Sequence, residues 1–124
     1  MQIIITGSVP SKKNSKVFSF RGNRPMLFPG KCYQQWHKQA LNQLYGIRYE
    51  SALFGPLKKI KEIRITIYAV DRRKADLTNR AESVMDLLVD AGILEDDNWF
   101  ICGAVNLKFG GVDRENPRAE IEII

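Results

Sequence analysis

The sequence predicts an α+β fold: a single domain over residues 1–124, with one mixed β-sheet and two main helices packed on it. Three observations lead there. Ile63, Ile65, Ile67 and Ala69 alternate with Glu62, Arg64, Thr66 and Tyr68, the two-residue period of a half-buried strand. Ala81, Val84, Met85, Leu88 and Ala91 recur on one helical face, with Gly92 placed to end the helix. The chain has 124 residues, enough for one core but too few for two independently stable halves.

The remaining elements follow in order. Residues 2–8 open on an apolar run and read as a strand, and a loop follows in which Pro10, Ser11 and Asn14 mix with Lys12, Lys13 and Lys16. Val17 to Phe20 and Met26 to Phe28 flank Gly22 and Asn23, which tolerate positive φ, so a hairpin is expected. Cys32, Trp36, Ala40, Leu41 and Leu44 mark a first helix from about Lys31 to Tyr45, after the boundary set by Pro29 and Gly30. Residues 48–60 lack a period and contain Gly55 and Pro56, which predicts an irregular connection. Residues 99–108 and 118–124 read as two strands joined through Gly110, Gly111, Asn116 and Pro117. Trp36 and Met85 belong to the expected core, and Trp99 and Phe100 are expected to be buried in the strand that follows the acidic turn.

Composition narrows the function classes. No apolar run approaches the roughly 18 residues needed to span a bilayer, so no membrane segment is expected. The start of the chain lacks the pattern of a secretory signal, which predicts a cytoplasmic protein. Cys32 and Cys102 match no zinc spacing and are expected as buried free thiols.

Charge is more informative. Between residues 76 and 97, seven carboxylates (Asp76, Glu82, Asp86, Asp90, Glu95, Asp96 and Asp97) face Arg80 alone, a net of −6. The remaining residues hold 18 basic and 7 acidic side chains, a net of +11. A positive body attracts polyanions, whereas a tight acidic patch repels them unless cations neutralise it. The combination points to a divalent metal and phosphate.

Within that patch the residues differ in what they can do. Glu82, Asp86 and Asp90 lie at four-residue spacing opposite the apolar stripe of the second helix, where solvated carboxylates are common. Asp90 falls near the helix C-terminus, where the macrodipole disfavours an anion. Asp76 falls at a strand-to-helix junction and Asp96 and Asp97 at a helix-to-strand turn, positions expected to meet at a sheet edge. Hard divalent cations such as Mg²⁺ need only two or three converging carboxylates. The same aspartates also suit an N-cap and a turn. Beside Asp76, however, Arg72, Arg73 and Lys74 supply cations for phosphate. Metal-assisted phosphodiester hydrolysis requires no histidine or cysteine nucleophile. The single histidine, His37, is expected as a polar helix residue without a partner.

The run Asp71, Arg72, Arg73, Lys74, Ala75, Asp76, Leu77, Thr78, Asn79, followed by Asp86, Leu87, Leu88, by Ala91, Gly92 and by Asp96, Asp97, resembles the RusA family of Holliday junction resolvases. Pro10, Ser11 and Asn14 resemble that family's N-terminal loop, and the match is densest over residues 71–97. The resemblance implies a homodimeric endonuclease of phage or prophage type in a bacterial cytoplasm. It would depend on Mg²⁺, with Mn²⁺ as a substitute, and make paired nicks in four-way junction DNA during recombination and repair. By position, Asp76 corresponds to the first catalytic aspartate of the family's Asp-Leu-Asp-Asn motif and Asp97 to the catalytic aspartate of its later acidic pair.

Two positions depart from the family pattern. Thr78 stands where the second aspartate belongs, and Glu82 stands where better-known members have a functional lysine. A hydroxyl is a poorer Mg²⁺ ligand than a carboxylate. Because Glu82 lies one helical turn beyond Thr78, it is expected to restore the lost charge. The implied catalytic set is Asp76, Glu82 and Asp97, and the metal ligands are Asp76, Glu82, Asp96 and Asp97. Lys12, Lys13, Lys16, Arg72, Arg73 and Lys74 are expected on the DNA backbone, and Trp99 and Phe100, if not buried in the next strand as expected, would stack on an exposed base at a junction. The residues themselves leave open a catalytically inert junction-binding protein, or a metal nuclease for flaps, single strands or RNA.

Overall fold

Strand alternation gives the sheet one buried and one open face. β1 (Gln2–Thr6), β4 (Ile63–Ala69) and β6 (Arg118–Ile123) bury every second residue, among them Ile3, Ile5, Ile63, Ile65, Ala119 and Ile121. A hairpin of β2 (Val17–Arg21) and β3 (Arg24–Phe28) stands apart as a two-stranded sheet, with Gly22 at φ 65° in its turn. The other elements are α1 (Lys31–Glu50), α2 (Leu77–Asp90) and β5 (Val105–Val112). They are drawn from a computed structural model that describes residues 1–11, 17–28, 30–50 and 55–124, with side chains described there except at 17–21, 25–28 and 48–50.

The four-stranded sheet has the order β1-β6-β4-β5. β6 is antiparallel to both of its neighbours, while β4 and β5 are parallel with Ile63 opposite Val105. Parallel neighbours need a crossover, and α2 supplies it. It leaves the C-terminal end of β4 and returns the chain to the end where β5 begins. Both helices pack on the sheet, α1 against β1 and α2 against β5, and they touch each other. The predicted α+β architecture with a mixed sheet is therefore the observed one.

α2 starts and stops on side-chain and backbone signals. Asp76 is its N-cap, and the N–H groups of Gly92 and Ile93 bond the carbonyls of Val89 and Leu88, a Schellman ending with Gly92 at φ 73°. Val84, Leu87 and Leu88 are wholly buried, each contributing roughly 1.5–3 kcal/mol relative to exposure. Ser83 is also buried, and its hydroxyl donates to the Pro10 carbonyl at 2.7 Å, which fixes the start of the N-terminal loop against the helix. Trp36 and Met85 lie in the core as predicted.

Three expectations change. α1 continues to Glu50, so residues 48–50 are helical rather than irregular. β5 begins at Val105, not at residue 99, because residues 94–102 first run alongside 57–60 through the isolated bridges Leu57–Leu94 and Ile60–Cys102. Gly110 and Gly111 lie inside β5 rather than in a connection. The Tyr68 ring sits so close to Gly110 that a Cβ there would lie 2.7 Å from two ring carbons, and the β4–β5 register shifts at that point. A further expectation fails for one cysteine: Cys102 is a buried free thiol as predicted, but Cys32 is exposed, in the first turn of α1. Among the described residues no helix is long and apolar enough to cross a membrane.

Candidate metal and nucleic-acid site

Beyond β4 the chain carries Asp71, Arg72, Arg73 and Lys74 past the open end of the sheet. Arg73 turns back on Asp71: its backbone N–H and Nε donate to the two carboxylate oxygens at 3.0 and 2.9 Å, and Nη2 lies 2.8 Å from Oδ2. That guanidinium holds the Asp71 carboxyl below the usual carboxylate range. Of the three cations expected on DNA at this end, Arg73 is thus already paired. Arg72 and Lys74 are exposed and have no carboxylate partner among the described residues. With Arg73 and Arg80 they rim a groove of about 670 Å³ whose apolar wall includes Phe109 and Val112.

Asp76 follows at the junction. Its Oδ1 accepts from the Thr78 hydroxyl at 2.7 Å, the Thr78 N–H at 3.0 Å and the Asn79 N–H at 3.4 Å. The Thr78 hydroxyl is the largest influence keeping this carboxyl ionised to lower pH, followed by the Asn79 N–H, with smaller help from the Thr78 N–H and Arg80. All three bonds reach one oxygen; among the described residues none reaches Oδ2. The residue at the position of the missing aspartate therefore has a definite job: Thr78 orients Asp76 and stabilises its charge. Glu82 is one turn further on and exposed. The groups acting on Asp76 are Thr78, Asn79 and Arg80, and Glu82 is not one of them.

A second carboxylate group forms beyond the other end of α2. Asp96 is tied into its turn: Oδ1 accepts from the Asp97 N–H at 2.8 Å and Oδ2 from Asn98 Nδ2 at 2.8 Å. The Asn98 amide, followed by the Asp97 N–H, lowers the Asp96 pKa. Asp97 is pushed the opposite way, first by desolvation and then by the carboxylates of Asp96 and Asp86. Asp86 is thus the residue of α2 whose charge reaches the acidic turn. Asp90 faces α1 instead, where its Oδ2 accepts from His37 Nε2 at 2.8 Å. The expectation of a partnerless histidine fails because the α1–α2 packing supplies a partner from 53 positions away.

The predicted ligands do not meet at one point in the chain. Asp76 and Asp86 are separated by ten residues of helix, about 15 Å at 1.5 Å per residue. Asp96 and Asp97 lie at the Asp86 end, so the expected meeting of Asp76 with the acidic turn at one sheet edge is not seen within one chain. Among the described residues no three His, Cys, Asp or Glu side chains group as an ion cage. Lys12, Lys13 and Lys16 lie outside the described residues.

The aromatic pair after the turn also departs from expectation. Trp99 and Phe100 are each 80% exposed rather than buried in a strand. Asn98 explains this: its Oδ1 accepts from the N–H groups of Phe100 and Ile101 at 3.0 and 3.2 Å, closing a tight turn that holds both rings outward. The signal in the sequence was the asparagine, a turn former directly before the two aromatics.

A comparison with curated proteins gives no significant match. The family model described as endodeoxyribonuclease RusA matches residues 9–124, nearly the whole chain, and the chain belongs to that family.

Proposed function

We propose that this protein is a divalent-metal-dependent endodeoxyribonuclease that resolves four-way DNA junctions by paired phosphodiester hydrolysis in recombination and repair. The observation that carries the reading, beside the family match over residues 9–124, is the state of Asp76. It is an ionised, firmly oriented carboxylate whose second oxygen accepts no hydrogen bond among the described residues, and it lies a few positions from Arg72 and Lys74, which have no carboxylate partner among those residues. Those cations suit the backbone phosphates on either side of a scissile bond.

The donor set fits Mg²⁺ or Mn²⁺ in kind, since Asp76, Glu82, Asp96 and Asp97 offer hard carboxylate oxygens, and Asp86 adds another. Such an ion, when bound, polarises the phosphoryl oxygen and lowers the pKa of its water. The protein's own residues have separate tasks: Thr78 fixes Asp76, Asn98 fixes Asp96, and Arg72 and Lys74 orient the strand. Because Asp76 and Asp97 belong to opposite ends of one β-α-β unit, a second copy of the chain is the simplest source of the complementary ligand. A homodimer also suits symmetric incision of a two-fold junction.

The test uses labelled four-way, forked and linear DNA with Mg²⁺, Mn²⁺ or EDTA. Paired nicks confined to the junction and requiring the metal are expected. Glu82→Gln is expected to abolish cleavage while leaving folding and junction binding intact, and full cleavage by that variant would remove Glu82 from the ligand set. A second reading, an inert junction-binding protein, draws on the loss of an aspartate at Thr78. Tight metal-independent binding without any cleavage would favour it.

A further inference from the structure

We infer that Trp99 and Phe100 form a stacking platform for an unpaired nucleobase of the DNA strand held at the neighbouring acidic turn. This deepens the nuclease reading and rests on it. At 80% exposure each, the two rings are more open than any other large apolar side chain among the described residues, Phe109 being next at 56%. Scattered surface aromatics need no explanation, but two adjacent ones left almost wholly in water next to a core do. Ile101 and Cys102, which follow at once, are half-buried and buried, so the exposed rings stand directly beside the core.

The turn fixes the backbone there. Besides its side-chain bonds to Phe100 and Ile101, Asn98 accepts through its backbone carbonyl from the N–H groups of Ile101 and Cys102 at 3.1 and 2.9 Å, and its amide is braced on Asp96. The backbone that carries the platform is therefore ordered before anything binds, which lowers the entropy cost of using it. The ring centroids lie 6.1 Å apart with planes tilted by 56°, so the rings do not cover each other face to face.

Position and charge select the occupant. Trp99 is two residues from Asp97, at most about 7 Å along the chain. A polyanion meets repulsion at Asp86, Asp96 and Asp97 unless a cation lies between, and the chain outside residues 76–97, at +11, attracts it. A cation held by Asp96 and Asp97 would offset that repulsion, and a nucleotide with its phosphate at the turn would then have its base within reach of the two rings. Every base has a π-face, but in a linear duplex those faces are covered by stacking, whereas a branch point or single strand exposes them. The rings thus add a preference for unstacked DNA that Arg72 and Lys74, as backbone contacts, do not supply.

Intrinsic fluorescence tests this directly, because the chain has two tryptophans and Trp36 is buried. Wild type and Trp99→Phe are titrated with oligothymidylate, a four-way junction and a linear duplex of the same sequence, with Ca²⁺ replacing Mg²⁺. Quenching by oligothymidylate and by the junction, present in wild type and absent in Trp99→Phe, is expected, with little from the duplex. The double variant W99A/F100A should keep its melting temperature and bind oligothymidylate about tenfold or more weakly, since stacking is worth roughly a factor of ten per base.

Unchanged Trp99 emission when polarisation shows the junction saturated would overturn the inference. So would a shift of W99A/F100A from dimer to monomer in analytical ultracentrifugation, which would assign the rings to contact between copies. If no DNA is cleaved yet oligothymidylate quenches Trp99, the nuclease reading fails and the platform stands. If W99A/F100A cleaves junctions as wild type does and no quenching occurs, the platform fails and the nuclease reading stands.

Discussion

Asp97 ionises against the carboxylates of Asp96 and Asp86 and against partial desolvation, so in the metal-free protein its charge opposes folding. Asp97→Asn removes that charge and keeps the shape of the side chain. For a largely exposed group, screening limits the gain to about 0.2–1 kcal/mol, a rise in melting temperature of roughly 1–4 °C for a chain of this size. The pH dependence has a definite sign. The folded carboxyl holds its proton to higher pH than the unfolded one, so stability falls as pH rises from the ordinary value of 3.8 through the raised folded value. The advantage of Asp97→Asn should therefore be present at pH 7 and vanish near pH 3.5. Thermal unfolding followed by circular dichroism in low salt with EDTA measures it, and added Mg²⁺ should narrow the gap at pH 7 by stabilising wild type. Cleavage should be lost in the same variant. A variant that melts below wild type at pH 7, or gains equally at both pH values, would refute the reasoning.

At the other end of α2, Asp76→Asn should keep the helix cap and lose cleavage, whereas Asp76→Ala should lose both, because asparagine caps about as well as aspartate; melting curves and junction assays on the pair separate the two roles. Ser83→Ala should cost about 1–3 kcal/mol in chemical denaturation, since it leaves the Pro10 carbonyl without its buried donor. The Tyr33 phenol is pushed up to about 12 by burial and then by Asp86 and Asp90. The unfolded chain ionises first, near 10, so this tyrosine should lose the fold about 2–3 kcal/mol as pH rises from about 10 to 12. The loss should be absent in Tyr33→Phe, with phenolate absorbance as the check.

Much of the fold was legible because local chemistry and tertiary environment agree. The alternation of β4, the apolar stripe of α2, its Asp76 start and its Gly92 stop each carry their own signal, and the packing uses all of them. The site was legible by residue type but not by arrangement. Carboxylate spacing in α2 does not say that a crossover helix holds Asp76 and Asp97 at opposite ends of a parallel pair; only the β4–β5 register does. Trp99 and Phe100 have the composition of a buried strand, and what turns them outward is one side chain, Asn98, acting on two backbone N–H groups. Gly110 reads as a turn former until Tyr68 is known to lie over it.

The acidic row of α2 illustrates how equal spacing can hide unequal roles. Glu82, Asp86 and Asp90 share one face, and as a solvated face they would be interchangeable. Their neighbours divide them. Asp90 is bonded to His37 and belongs to the contact between helices, while the charge of Asp86 acts on Asp97 and Tyr33 and adds to the negative charge that the acidic turn already concentrates. Glu82 lies nearer the Asp76 end, exposed. Of the three, Glu82 is thus the one with no ion-pair or hydrogen-bond partner among the described residues, and negative charge beside a cationic body is what a divalent ion and a phosphate together would neutralise.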